Sequence, residues 1–271
     1  MKYPRIVKGS TYGRVYEVEE GLFFGSVTTI LKYGLPTPEW LFKYHIKTSG
    51  GDYDKYLRHS GEASEIGTAV HTLAERVISG EVVEISDNPL DYVSGKGYYP
   101  TAHTLVQIRK GLQSFMAFWD HNKPKVEAVE QMMFNIEQYE GNYMFPFAGK
   151  CDLICTIFNK KKEKPERWLL DIKTSVSVEN SLNYQLQLSM YTAIHNQNNP
   201  DRKIDRMGIL WAKKDFKKTN PPLAVLTPKE YKYRPDLIKP VYTLFQELYN
   251  GFELGKPKVK ESTPKVFSLQ V

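Results

Sequence analysis

Apolar residues change their spacing along the chain, from a helical repeat in the first third to strand-like runs in the middle. Over about residues 64–79 they recur at helical spacing and predict a helix. Residues 145–158 and 168–172 are rich in β-branched and aromatic residues, which is typical of strands. The polar, proline-containing segment over residues 159–167 then predicts a hairpin turn that joins the two strands.

The remaining elements follow from the same patterns and from turn residues. They are a hairpin over residues 3–24, a short helix capped by Ser26 that ends at Leu31, a helix holding Trp40, Phe42 and Tyr44, an exposed loop over 82–100, a helix over 101–122 with Met116 facing inward, a strand over 126–139, a helix around Gln187, a buried strand over 206–212, an edge strand over 223–226 and a helical region over 228–252. No linker-like stretch separates two cores. We therefore expect a single domain over residues 1–271, with a mainly helical addition over 1–100, a core over 101–255 and a tail over 256–271.

The predicted hairpin carries two carboxylates and a lysine. Asp152 lies in its first strand, and Asp171 lies in its second strand. Lys173 follows two residues later and therefore points to the same face of the strand as Asp171. Hard oxygen ligands beside a cation suit a divalent metal and phosphodiester hydrolysis, in which negative charge develops on phosphoryl oxygens. Taken alone, the pattern more often means two acids at the edge of a buried sheet and a solvated lysine.

Two helices add polar residues that share a face. His71 and Glu75 are four residues apart in the first helix, and Gln187 and Tyr191 are four apart in the other. A neutral imidazole that faces a carboxylate cluster can bind a metal. Each pair alone would be read as a packed or solvated helix face.

Together these elements form an ordered set of motifs. They read G-x-x-V-H-x-x-x-E, G-x-x-D, D-x-K-T and Q-L-x-x-Y along the chain. This order resembles the RecB-like branch of the PD-(D/E)XK nuclease superfamily, and in pattern it is similar to phage exonucleases and the mitochondrial genome maintenance exonuclease. The resemblance covers roughly residues 26–191. The proline of the superfamily's name is absent, and Cys151 precedes Asp152.

The resemblance implies a fold and a metal site. The fold is α/β, a restriction-endonuclease-like core with a mixed central sheet flanked by helices and an N-terminal helical addition. The metal, Mg²⁺ or Mn²⁺, would be bound by Asp152, Asp171, the carbonyl of Ile172 and His71. Lys173 would hold the attacking water or help to deprotonate it.

Other residues are assigned supporting roles by the same resemblance and by their chemistry. Gln187 and Tyr191 would position DNA or a water outside the metal's own ligand set. Glu75 and Glu130 are reserve carboxylates, which could serve a second metal or have only a surface or capping role.

Four further residues are candidates for contact with DNA. Gly149 would let the substrate backbone approach closely, and Thr174 would bond a phosphate. Lys232 and Arg234 alternate with tyrosines, which suits the stacking of single-stranded bases.

Composition and cysteine content agree with this hypothesis. The formal net charge of +6 fits a polyanionic partner such as DNA. No apolar run reaches membrane-spanning length, and residues 1–20 contain no apolar signal segment, so we expect a cytoplasmic protein of a bacterial or phage-infected cell. Cys151 and Cys155 would lie roughly 13 Å apart in one strand, too far for a disulfide. Two cysteines also cannot hold a four-cysteine iron–sulfur cluster.

The sequence therefore predicts a metal-dependent DNA exonuclease that degrades single-stranded DNA from a free end during replication, recombination or repair. Two alternatives remain. One is a structure-specific endonuclease of the same fold, and the other is a catalytically inactive module that only binds DNA.

Overall fold

A mixed β-sheet forms the centre of the computed structural model, which describes residues 5–7, 13–20, 22–134, 138–139, 142–143, 147–179 and 181–248. The strands of this sheet are β1 (Arg5–Val7), β2 (Val15–Glu19), β3 (Leu22–Ser26), β4 (Lys125–Phe134), β7 (Phe147–Asn159), β8 (Lys164–Lys173), β9 (Arg206–Trp211) and β10 (Lys229–Tyr231). Two short strands, β5 (Gln138–Tyr139) and β6 (Asn142–Tyr143), pair separately with each other. The central sheet runs in the order β1-β2-β3-β7-β8-β9-β10, and β4 also pairs with β7. The β3–β7 and β8–β9 pairs are parallel, and the other pairs are antiparallel.

Six α-helices accompany the sheet. They are α1 (Val27–Gly34), α2 (Glu39–Ser49), α3 (Tyr53–Ile78), α4 (Ala102–Asn122), α5 (Leu182–Asn198) and α6 (Ile238–Leu248), among the residues that the structure describes. Local sequence explains several of their ends. Ser26 caps α1 by accepting a hydrogen bond from the Thr29 backbone N–H at 3.0 Å. Asp52 caps α3 by accepting one from the Lys55 N–H at 2.9 Å.

The sheet buries both of its faces. On β8, Leu169 belongs to a core shared with α1, α5 and α6, whereas its neighbour Leu170 belongs to a second core shared with α3 and α4. Ile209 and Leu210 divide between the two cores in the same way on β9. Because successive side chains of a strand point to opposite faces, the helices form one layer on each side. The α/β fold with a mixed sheet flanked by helices is therefore confirmed.

The N-terminal region differs from the prediction at two places. The predicted hairpin is a three-stranded unit, and its strand β3 pairs with β7 through Gly25 and Ser26. These first strands therefore extend the central sheet, ahead of the helices of the N-terminal addition. The helix that carries His71 begins at Tyr53, much earlier than residue 64, because Asp52 supplies a cap that the apolar spacing does not reveal.

Boundaries were also wrong in the later part of the chain. The hairpin turn is shorter than 159–167, because β7 extends to Asn159 and β8 begins at Lys164. The segment predicted as an edge strand over 223–226 forms a 3₁₀ turn at Leu223–Val225, and the edge strand is β10 instead. The predicted tail over 256–271 lies outside the described residues.

Two predictions about helices also need correction, one on the buried face of α4 and one on the start of α6. Met116 on α4 is 42% exposed, and Phe118 fills the core position instead. The predicted helical region over 228–252 opens with a strand and a 3₁₀ turn, so α6 begins only at Ile238. Pro240 falls in the first turn of α6, where a missing N–H costs no helical hydrogen bond.

Two glycines, one in α3 and one in α4, should respond in opposite ways to replacement by alanine. An added Cβ at Gly111 would lie 2.7 Å from Val70 Cγ2 at a buried contact. Gly111→Ala should therefore destabilise the protein by about 1–3 kcal/mol through overpacking. At Gly61 on α3 no atom lies within 4 Å of such a Cβ, so Gly61→Ala should stabilise the helix by up to about 1 kcal/mol. Urea unfolding of both variants measures the difference, and equal midpoints would contradict the packing described at Gly111.

Candidate metal centre

Three acidic residues lie side by side on three neighbouring strands. Leu153 of β7 pairs with Leu170 of β8, so Asp152 and Asp171 are the next residues toward the same end of the hairpin. On the other side of β7, Glu130 of β4 lies opposite Asp152, because the flanking residues of these two strands pair with each other. Asp152 and Asp171 are 9% and 2% exposed. The strand register alone therefore concentrates negative charge at one buried place.

His71 reaches this place from α3. Its Nε2 lies 2.8 Å from the carbonyl oxygen of Ile172, and its Nδ1 lies 3.5 Å from Asp152 Oδ2. The neighbouring residues Val70 and Leu73 are buried in the core beneath, so α3 is held against the sheet with His71 turned toward the acids. The structure thus brings together His71, Asp152 and the Ile172 carbonyl, which the sequence proposed as ligands of one metal.

Glu130 has an unusual backbone. Its φ of 50° lies in the left-handed region, within the strand β4. Such a conformation costs on the order of 1–3 kcal/mol for a non-glycine residue and is typical of functional sites. One oxygen of Glu130 lies within 4.8 Å of ligand atoms of both His71 and Asp152. Glu130, which the sequence indicated only as a reserve carboxylate, therefore joins His71 and Asp152 in a group of side chains that could hold a metal.

Asp171 has different partners. Gln187 Nε2 donates a hydrogen bond to Asp171 Oδ1 at 2.8 Å, and Lys173 Nζ lies 2.5 Å from Oδ2. Burial lowers the pKa of Lys173, but the charges of Asp171 and Asp152 outweigh burial, so this pKa is raised. Lys173 is therefore an ammonium group that donates hydrogen bonds and offsets negative charge. Gln187 fixes the orientation of Asp171.

Burial and charge repulsion act together on Asp152. Burial raises its pKa first, the negative charge of Asp171 raises it further, and the value reaches about 6. His71, Lys173 and the Ile172 backbone N–H, which donates to Asp152 Oδ2 at 2.7 Å, oppose part of this shift. The charge of Asp152 is thus only partly compensated by the protein, and a divalent cation would relieve the repulsion from Asp171.

The donor set fits such a cation. Carboxylate and carbonyl oxygens suit Mg²⁺, and an added imidazole is accepted more readily by Mn²⁺. The 2.8 Å between His71 Nε2 and the Ile172 oxygen is close to the roughly 3 Å that separates adjacent ligands of an octahedral ion. The residues therefore fit the metal that the resemblance implies.

Gly149 of β7 lies directly against the ring of Tyr191 on α5. The Tyr191 ring is buried, and a side chain at Gly149 would overlap that ring. Burial raises the pKa of the Tyr191 phenol well above its usual value. The structure thus gives Gly149 a packing role against Tyr191, which is a different physical reason for the glycine than close approach by a substrate backbone.

A cleft of about 860 Å³ opens over the acids. It is lined by nearly all of the predicted site residues, namely His71, Glu75, Glu130, Asp152, Asp171, Ile172, Lys173, Thr174, Gln187 and Tyr191. Lys232 and Arg234 do not line it, and Arg234 is instead paired with Asp236 at 2.8 Å.

Three cations of the cleft were not assigned to the site from sequence: Arg14, Lys150 and Lys214. Lys150 forms an ion pair with Glu130. The sequence could have indicated Lys150, because this residue lies two positions before Asp152 and so shares its strand face. Arg14 gave no such signal, because it reaches the cleft only through the pairing of the first strands with β7.

Comparison with known families assigns the chain to a class. A profile of the PD-(D/E)XK nuclease superfamily matches residues 26–259, and the chain belongs to this superfamily. A solved structure titled "Crystal structure of SSO0001" is similar over 75% of this chain and 94% of its own chain, with 15% sequence identity and a TM-score of 0.33. No curated protein matches the sequence. Within the described part of the chain, no helix is both long and apolar enough to cross a membrane.

The ligand group predicts which variants lose metal. Removal of one donor should weaken Mn²⁺ binding by about tenfold or more, so His71→Ala and Glu130→Gln should both bind Mn²⁺ weakly in calorimetric titrations. Glu75→Gln is the matched control, because Glu75 lines the same cleft but is not one of the three grouped residues. Loss of binding in Glu75→Gln with wild-type binding in Glu130→Gln would reverse the two assignments.

Proposed function

We propose that this nuclease is a metal-dependent deoxyribonuclease that degrades single-stranded DNA from a free end. The observation that carries the proposal is the convergence of His71, Asp152, Asp171 and Lys173 on one cleft that also holds Arg14, Lys150 and Lys214. Acids that can hold a metal, beside cations that can hold phosphates, are the components that phosphodiester hydrolysis needs.

The metal would be held by Asp152, Asp171, His71 and the Ile172 carbonyl, with Glu130 as a further ligand. When bound, Mg²⁺ or Mn²⁺ polarises a phosphoryl oxygen and lowers the pKa of a bound water.

The protein's own groups supply positioning and charge. Lys173 sits 2.5 Å from Asp171 and, as an ammonium group, would orient the attacking water and offset the charge that grows on the phosphate. Gln187 keeps Asp171 in place through its 2.8 Å hydrogen bond. Arg14, Lys150 and Lys214 would bind the phosphates on either side of the cut.

The preference for a single strand rests on the walls of the cleft. Its floor comes from β7 and β8, whereas Tyr44 of α2 and Ser64 and Gly67 of α3 form the opposite wall. A cleft with helices on one side and the sheet on the other would hold a single strand more readily than a duplex, and entry from a free end would suit such a strand. Removal of single strands from ends would suit replication, recombination or repair.

Loss of the central acid or lysine should abolish hydrolysis. Asp152→Asn and Lys173→Met should each reduce the single-turnover rate by about a thousandfold or more, because several kcal/mol of transition-state stabilisation are removed. Asp87→Asn and Lys161→Met are matched controls at exposed positions outside the cleft. Circular dichroism should show all four variants folded, and near wild-type cleavage by Asp152→Asn would overturn the assignment.

End dependence is tested with three substrates under one metal and salt condition. Linear single strands should be degraded rapidly, whereas the same strands after circularisation and blunt duplexes should be cut slowly. Rapid cutting of the circle would instead support the endonuclease alternative. Equal rates on blunt duplex would reject the preference for single strands, and binding without any cleavage would support an inactive binding module.

A further inference from the structure

A second cavity adjoins the metal cleft. Its volume is about 500 Å³, and it lies between α2 and the first half of α3. Tyr44, Thr174 and Lys214 line both cavities. Thr174 directly follows Lys173 in the chain, so the second cavity begins one residue from the metal centre. A strand that left the centre on this side would therefore meet the second cavity.

The walls of this cavity are rich in rings. Tyr44, His45, Tyr56 and His59 all line it. The rings of His45 and Tyr56 lie 4.4 Å apart and cross at 66°, and the Tyr44 ring lies 5.9 Å from that of His45. Tyr44 is 45% exposed, so one part of its ring is free for a ligand. A flat, partly apolar ligand is the kind that such walls accommodate.

The carboxylates inside the cavity favour a neutral base over a phosphate. Glu62 and Asp215 are both among the lining residues. Glu62 accepts a hydrogen bond from Thr104 at 2.6 Å, and Asp215 pairs with Lys213 at 3.0 Å. Carboxylates repel a phosphate, whereas they can accept hydrogen bonds from the amino groups of a nucleobase.

Lys214 supplies the complementary charge at the boundary of the two cavities. It forms no ion pair among the residues that the structure describes, although Asp215 and Glu62 are near enough to influence it. Burial lowers the pKa of Lys214, and the two acids partly oppose this effect. A cation that lacks a direct partner, between an acid-rich metal cleft and a ring-lined cavity, is placed to bind a phosphate of a strand that passes from one to the other.

We propose that the second cavity is a nucleobase subsite that stacks one unpaired base of the DNA strand on Tyr44 and Tyr56, while Lys214 binds the adjoining phosphate. The proposal rests on the proposed function, since it names how that same site would select single strands. Because every base has a π-face, such a subsite accepts any sequence, but only when the base is not paired.

The test separates base stacking from phosphate binding. Fluorescently labelled thymidine oligonucleotides, each with one abasic site at a successive position, are titrated with the full-length protein in EDTA, and anisotropy is measured. One position should show roughly five- to 150-fold weaker binding when its base is missing. Tyr44→Ala should weaken binding of the intact oligonucleotide to a similar extent and should remove the effect of the abasic site. Tyr44→Phe should retain both.

Control variants identify the source of any change. Phe42→Ala should bind like wild type, because Phe42 is an even more exposed aromatic residue of α2 that lines neither cavity. Lys214→Ala should weaken intact and abasic oligonucleotides alike and should reduce the salt dependence by about one phosphate contact. If Tyr44→Ala alters the thermal melting of the protein, Tyr56→Ala and Tyr56→Phe provide the same comparison from α3.

The outcomes distinguish this subsite from the nuclease activity. Equal behaviour of Tyr44→Ala and Phe42→Ala, or an abasic effect that persists in Tyr44→Ala and Tyr56→Ala, would overturn the subsite and leave the nuclease assignment intact. Tyr44-dependent binding by a protein that cuts no DNA with Mg²⁺ or Mn²⁺ would support the subsite and overturn the nuclease activity.

Discussion

The like charges of Asp152 and Asp171, buried on adjacent strands, are the constraint to which the rest of the site responds. Each carboxylate has its own set of compensating groups. Asp152 accepts a backbone hydrogen bond from Ile172 and lies near His71, whereas Asp171 is held by Lys173 and Gln187. These groups come from β8, α3 and α5. Three elements packed around β7 therefore together offset the repulsion between the two carboxylates.

The double-sided burial of the sheet makes that arrangement rigid. Cores on both faces of β7 and β8 leave little freedom for the strands to slide, because a shift of one residue would exchange the two apolar faces. The same packing covers the strands on both faces, and the cleft opens over the acids. A metal that entered through the cleft would thus restore the charge balance on the side from which a substrate phosphate can also approach.

The two aspartates were predictable because their positions follow from the alternation of side chains along a strand. The folded sheet keeps that alternation. Asp152, Asp171 and Lys173 needed only a hairpin and the alternation of faces. Glu130 could not be placed in this way, because its left-handed backbone breaks the alternation that the pattern assumes. The edge strand was misplaced for a different reason. The short apolar run at 223–226 is preceded by two prolines, and the pairing of β10 with β9 is a long-range choice that local propensity does not reveal.

The length of α3 has a consequence for how this protein can change during evolution. One uninterrupted helix carries both Tyr56 and His71, with fifteen residues and roughly 22 Å of helix axis between them. Insertion of a single residue in that interval would turn one end by about 100° relative to the other, so that the ring or the imidazole would face away from its cavity. Substitutions in the exposed positions of α3 are then tolerable, whereas insertions and deletions are restricted to near-whole turns of the helix.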